Sequence, residues 1–317
     1  MRFFKKPFAF AVFYSVILIL FTTYTLLDTF VIVHEYSVVT GISNIATDVD
    51  TTSLDSNVTD NGDETDDVQT TAPTVISANS YSDGNISITI TTYRQYSTDI
   101  YVADVVLSDI SYLKTAFANN IYARNSTQKT SAMAAANDAI FAVNGDFYGA
   151  RTKGYVIRNG ILYRTVATSS DQEDLVIYAD GSFEIIEEGD ITAQQLWENG
   201  ALHVLSFGPA LINNGSLSVT TSSEVDKEQT SNPRTAIGII DKLHYVFVVS
   251  DGRLDTSVGL SLYELATFMK GLGVTTAYNL DGGGSATMYF NGEVINNPTT
   301  TGNSIQERAV SDIVYIG

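Results

Sequence analysis

The chain has 317 residues, with 17 Lys and Arg against 36 Asp and Glu, a formal net charge of -19. Such a surface repels a phosphate backbone over most of its area, so nucleic acid is not an expected partner. With no cysteine, disulfides, thiolate nucleophiles and Cys-ligated zinc are excluded, and stability has to come from a packed core.

From Phe8 to Leu27 the chain reads FAFAVFYSVILILFTTYTLL, twenty residues without a charge, which as a helix span roughly 30 Å, the thickness of a hydrocarbon core. Twelve of them are Phe, Val, Ile or Leu, favouring insertion by roughly 4 to 7 kcal/mol before polar residues are counted. Arg2, Lys5 and Lys6 precede the run, and Asp28 and Glu35 follow it. The positive-inside rule then leaves residues 1–7 in the cytoplasm, makes 8–33 a single-pass signal anchor, and puts the rest on the outer face of a cell membrane. A cleaved signal peptide would need a shorter apolar run and a small-x-small site, which DTFVIVHEYSVVTG does not offer.

Residues 34–76 read as an acidic Thr/Ser/Asp-rich linker that carries too few apolar side chains to order itself and extends by self-repulsion. From about Ser77 the pattern becomes alternation, as in NISITITTYRQ and DIYVADVVLSD, the period of half-buried strands. Further on, helices are predicted at SYLKTAFANN, TSAMAAANDA, TAQQLWENG and SLYELATFMKGLG. Strands are predicted at AIFAVNGDF, DLVIYAD, HVLSFGPALI, RTAIGII, HYVFVVSDG, TTAYNLDG, SATMYFNG and DIVYIG. Residues 77–317 are therefore expected to form one mixed α/β (α+β) globular domain, a mixed sheet flanked by helices, behind one transmembrane helix.

Four polar clusters stand at strand ends, where loops present functional groups from a rigid sheet. AVNGDFYG carries Asn144 and Asp146 into a sharp turn, and SFGPALINNG is followed by NPRTAIGI, whose Arg234 suits a bidentate grip on phosphate or carboxylate. VVSDGR delivers Asp251 and Arg253, which also suit a pair with each other. YNLDGGGSATM holds Asn279, Asp281, Gly282, Gly283, Gly284 and Ser285; three glycines in a row are costly for a plain turn and suit a loop that turns its amides onto an anion. This is neither a P-loop nor a nucleophile elbow, since no Lys-Ser/Thr follows the glycines and Ser285 lacks the Gly-x-Ser-x-Gly context. His203 and His244 sit in apolar strand patterns and read as structural, and QERAVSD adds Glu307 and Arg308 before the last strand.

In this order these motifs, with the helix LYELATFMKGLG and the segment NNPTT, resemble the phosphodiester glycosidase family, whose bacterial members are relatives of the enzyme that uncovers mannose 6-phosphate by removing N-acetylglucosamine. The resemblance is strongest over 139–317 and loose over 77–138. It implies a hydrolase that splits the bond between a sugar's anomeric carbon and a phosphodiester, acting on a phosphodiester-linked glycan of an envelope polysaccharide or teichoic-acid type. Family members often carry the label exopolysaccharide biosynthesis protein. Asp281, Glu307, Asp146 and Asp251 are the expected catalytic carboxylates; Asn144, Arg234, Arg253, Asn279, Gly282, Gly283, Gly284, Ser285 and Arg308 are the expected substrate and phosphate contacts. A divalent cation on Asp146, Asp251 and Asp281 is a variant of the same chemistry. Two other classes fit the same motifs: a non-catalytic glycan-binding module, and a glycosyl or phosphoglycosyl transferase of exopolysaccharide assembly.

Overall fold

A computed structural model of the chain describes residues 8–35, 75–223 and 231–317. The expected cytoplasmic segment 1–7 and nearly all of the expected linker lie outside the described residues.

Helix α1, Ala9–Phe30, is apolar on every side, and Phe10–Phe30 is long and apolar enough to cross a membrane, with none of it buried against the protein. Beyond it, His34–Glu35 pairs antiparallel with Ala123–Arg124. The Arg124 guanidinium donates to the Thr29 carbonyl at 3.0 Å, and the Asn125 amide to the carbonyls of Thr29 and Ile32.

The rest is weighted toward strand, in three main sheets whose pairings are all antiparallel among the described residues. A nine-stranded sheet runs in the order 216–217, 210–213, 276–279, 234–241, 244–250, 98–107, 86–95, 80–82, 75–77. Its longest hairpin shows why the alternation forms strands: Ile86, Ile88 and Ile90 point into the core while Ser87, Thr89 and Thr91 face solvent. Tyr96 and Ser97, both at positive φ, make the two-residue turn that matches strand twist. One face packs on a five-stranded sheet (293–294, 288–290, 141–144, 312–316, 113–117) through Phe141, Phe247, Tyr278 and Phe290. The other face takes the helix Leu262–Gly271 through Leu262, Leu265, Ala266 and Met269. Helix α4, Leu262–Gly271, follows helices α2, Thr130–Ala136, and α3, Ala193–Glu198. A Ser261–Glu264 capping box starts α4 and satisfies its first amides. Helix α2 covers the outside of the five-stranded sheet, and α3 backs a smaller sheet of 161–164, 156–158, 201–205, 173–178 and 183–187.

Two expectations change. Ser111 to Asn120, predicted as a helix, is a strand, Leu113–Phe117, between two short 3-10 turns; Leu113 and Thr115 are buried as the strand pairs with 312–316, so tertiary pairing overrides a short helical pattern. The predicted strand HVLSFGPALI breaks at Gly208 into Ala201–Leu205 and Ala210–Asn213, which belong to different sheets. The break brings Phe207 to the edge where strands 141–144, 234–241, 244–250 and 276–279 deliver their loops.

Candidate active site

The site is built on the loop that leaves strand Thr276–Asn279. Asp281 is held from both sides of its backbone: its amide donates to the Gly145 carbonyl, and its own carbonyl accepts from Asn144 at 2.6 Å. The Asn144 side-chain oxygen in turn accepts from the Thr235 hydroxyl and the Thr287 amide, so this residue ties three strand ends together behind Asp281. In front, the Asp281 carboxylate accepts from the Ser285 hydroxyl at 2.5 Å and faces Arg308 at 3.1 Å. Arg308 also donates to Ser285 Oγ at 2.6 Å. Burial pushes the Asp281 pKa up, and Arg308 and Ser285 pull only part of it back.

The expected cradle of amides is not complete, because the Gly283 amide is turned onto the protein. The Gly283 amide donates to the Pro233 carbonyl and the Ser285 amide to the Gly282 carbonyl, in a 3-10 turn over Gly283–Ser285. Close approach explains the composition instead: a Cβ would stand 2.8 Å from the Pro233 carbonyl oxygen at Gly282 and 2.4 Å from Thr300 Oγ1 at Gly284, while Gly283 sits at φ 58 against the Arg253 guanidinium.

In front of this loop lies a cavity of about 230 Å³, lined by Phe147, Arg151, Phe207, Asn232, Arg234, Arg253, Asp281, Gly282, Gly283 and Arg308. A smaller one of about 70 Å³ shares Phe147, Asp281 and Arg308 as a common wall and reaches Asn125. Arg253 is braced by Asn232 Oδ1 at 2.9 Å and the Thr300 carbonyl at 2.6 Å, and Arg234 by the Leu260 carbonyl at 2.9 Å. Arg151 stacks its guanidinium over the Phe207 ring at 5.2 Å. Phe147 and Arg253 both hold positive φ (71° and 61°), the strained backbone that rigid surroundings impose at ligand-facing positions.

The remaining expected residues are brought elsewhere. Asp146 is buried under the site, paired with Arg158 at 2.9 Å, and Arg158 also grips Asp312 at 3.0 Å. Burial alone would raise the Asp146 pKa, but Arg158 and the Ser206 amide hold it below the usual carboxylate range, whereas burial and Asp146 push its neighbour Asp312 up to about 7. Asp251 does not pair with Arg253; it accepts from Asn297 at 2.8 Å and from Tyr101, fixing the segment 296–297. Glu307 turns away from the cavity and accepts the Ser131 amide and hydroxyl, because a carboxylate at the start of α2 satisfies its open amides. Asn279 is buried on the Gly208 carbonyl. The cation variant is corrected with them: Asp146, Asp251 and Asp281 carry separate sets of partners, and among the described residues no three acidic or histidine side chains group as metal ligands. His203 is structural as expected, buried on Thr115 and Asn159, its pKa pushed down to about 3 by burial and the nearby Arg158. Of the cavity residues without a role in the sequence reading, Phe147, Phe207 and Asn232 stand inside quoted motifs, whereas Arg151 follows its motif with no pattern of its own.

Residues 137–317 match the phosphodiester glycosidase family over more than half of the chain. The chain belongs to this family. It is 29% identical over 193 residues to the Bacillus subtilis (strain 168) SPbeta prophage-derived uncharacterized protein YomE, covering 58% of this chain and 29% of that one. It is also 29% identical over 180 residues to mouse N-acetylglucosamine-1-phosphodiester alpha-N-acetylglucosaminidase, covering 50% of this chain and 33% of that protein. The chain thus spans about a third of the length of these curated relatives. The fold is that of the zebrafish N-acetylglucosamine-1-phosphodiester alpha-N-acetylglucosaminidase catalytic domain, auto-inhibited by its pro-peptide. The TM-score is 0.57 at 22% identity, covering 73% of this chain and 82% of that one. A hypothetical protein from Synechocystis shares the fold at TM-score 0.52 and 15% identity, over 73% of this chain and 62% of that one.

Proposed function

We propose that the protein hydrolyses glycosyl phosphodiesters at the sugar-phosphate bond. The observation that carries this reading is the convergence of Arg151, Arg234, Arg253 and Arg308 with Asp281 on one cavity, in a chain of net charge -19. Such a cavity selects an anion of phosphate size, which guanidinium forks bind with both charge and geometry. Family membership supports the same reaction class, and the mouse relative's name specifies an N-acetylglucosamine-1-phosphodiester.

In this reading Arg234 and Arg253 hold the phosphodiester, and the exposed Phe147 and the Phe207 ring flank the sugar. Water attacks the anomeric carbon, Asp281 takes its proton, and the carbon-oxygen bond breaks with its electron pair leaving on the phosphomonoester. A phosphate leaving group needs little protonation, so one carboxylate lining the cavity is enough where ordinary glycosidases need two. Arg308 and Ser285 keep that carboxylate oriented. The finer setting belongs to the same proposal: α1 anchors the chain in a cell membrane with the domain on the outer face, and the substrate is an envelope polysaccharide or teichoic-acid-type polymer.

Full-length protein in detergent, incubated with UDP-N-acetylglucosamine, is expected to release free sugar, and folded Arg234→Ala protein is expected to release none. Retained turnover in Arg234→Ala removes that residue from the mechanism. Glycan binding without release points to a binding module, and elongated products point to a transferase.

A further inference from the structure

The small sheet holds a polar cluster that the reaction does not use. All five of its strands bring a residue to the same end: Gly154 just before strand 156–158, Thr168 beyond 161–164, Asp174 within 173–178, Glu188 after 183–187 and Ser206 after 201–205. Asp174 is 0% and Glu188 4% exposed. Neither has an ion-pair partner among the described residues, and burial together with the neighbouring Glu188 pushes the Asp174 pKa well up. Glu188 is oriented by the amides of Tyr155, Thr168 and Ser169.

Nine buried side-chain oxygens in the described residues make no well-aligned hydrogen bond, and four belong to this cluster: both carboxylate oxygens of Asp174, Thr168 Oγ1 and Ser206 Oγ, with Ser206 and Glu188 near enough to the Asp174 carboxyl to interact with it. Gly154, at φ +96, leaves the space between the two hydroxyls open, since a Cβ there would stand 2.9 Å from Ser206 Oγ and 3.1 Å from Thr168 Oγ1. Buried oxygens without a well-formed hydrogen bond, gathered around two neighbouring carboxyl groups that have no cationic partner among the described residues, suit a bound cation.

We propose that Asp174, Glu188, Thr168 and Ser206 form a calcium site at the end of the small sheet. The ligands are oxygens only, two of them from carboxyl groups, which is the donor set of a hard cation, and four separate chain segments meeting at one point provide the adaptable coordination that calcium takes more readily than magnesium. The site is separate from the cavity yet tied to it: the Ser206 amide donates to Asp146 and its carbonyl accepts from Arg151, while the next residue, Phe207, lines the cavity. A cation here clamps the wall that carries Arg151 and Phe207.

The test uses the full-length protein in detergent and reads metal content and melting temperature rather than turnover. After dialysis against EDTA, calcium at micromolar to millimolar concentration is expected to raise the melting temperature by several degrees, with magnesium giving a smaller shift. Mass-spectrometric metal analysis is expected to find one more calcium ion per chain in the wild-type protein than in Asp174→Asn, a difference that sets aside ions held by the acidic segment before the domain. Thr168→Val, which removes one neutral ligand, is expected to bind the ion more weakly and serves if Asp174→Asn does not fold. The proposal is overturned if calcium leaves the stripped wild-type melting temperature unchanged, or stabilises Asp174→Asn as much as wild type. It is also overturned if Asp174→Asn is the more stable protein without calcium effect, the result expected when Asp174 simply shares a proton with Glu188.

Discussion

Two arginine-aspartate groups sit back to back in this molecule and behave oppositely. Arg158 with Asp146 and Asp312 has side chains 1% exposed and donors directed onto protein acceptors, including the carbonyls of Ile157 and Val204. Arg308 with Asp281 has side chains 40% and 12% exposed and opens onto two cavities. The residue types are the same; access separates a group that holds strands together from one that can meet a substrate. Sequence motifs do not make that distinction, since Asp146 and Asp281 both follow an apolar strand and stand beside glycines.

The contrast is sharpest for the buried arginine. Arg158→Leu leaves two carboxylates buried without a counter-charge and is expected to cost about 3–5 kcal/mol, seen as a collapse of the urea midpoint, with activity lost only as the fold is lost. Arg308→Ala is expected to do the reverse: kcat/KM on a glycosyl phosphodiester falls about 10²–10³-fold, the size of losing one oriented charge at a reacting centre, while the melting temperature moves little. Equal stability losses in the two variants would end the distinction between the groups.

A smaller effect separates the two aspartates of the buried group by pH. Asp312, with its folded pKa raised to about 7, takes up a proton in the folded state that the unfolded chain has already released. Its contribution to stability is therefore full below about pH 4 and lost as pH rises through about 7. Asp146, with its pKa lowered, contributes above the ordinary carboxylate pKa and loses that contribution as pH falls. Urea midpoints at pH 5 and pH 8 are expected to differ less in Asp312→Asn than in wild type; an unchanged difference would show that Asp312 is not the group releasing its proton in that window.

Much of the fold was legible from local pattern. The apolar run gave α1, alternation gave the long strands at 86–107, and the pattern SLYELATFMKGLG gave α4. The strand Leu113–Phe117 was not legible because five residues, LKTAF, are too short a run to fix either period, and only pairing with 312–316 decides between them. The cavity was legible in part: Arg234, Arg253, Asp281, Gly282, Gly283 and Arg308 line it, whereas Glu307 and Asp251 are engaged elsewhere.

By itself the sequence determined the apolar helix, the mixed α/β class, the absence of any cysteine chemistry and the order of motifs that marks the family, because each of these is written in neighbouring residues. The tertiary structure alone decided which charges meet. Arg158 reaches Asp312 across 154 positions and Glu307 reaches Ser131 across 176, and no local period encodes a contact of that span. It also decided the purpose of the three glycines, whose missing side chains make room for Pro233, Arg253 and Thr300, neighbours that the chain supplies only once it is folded.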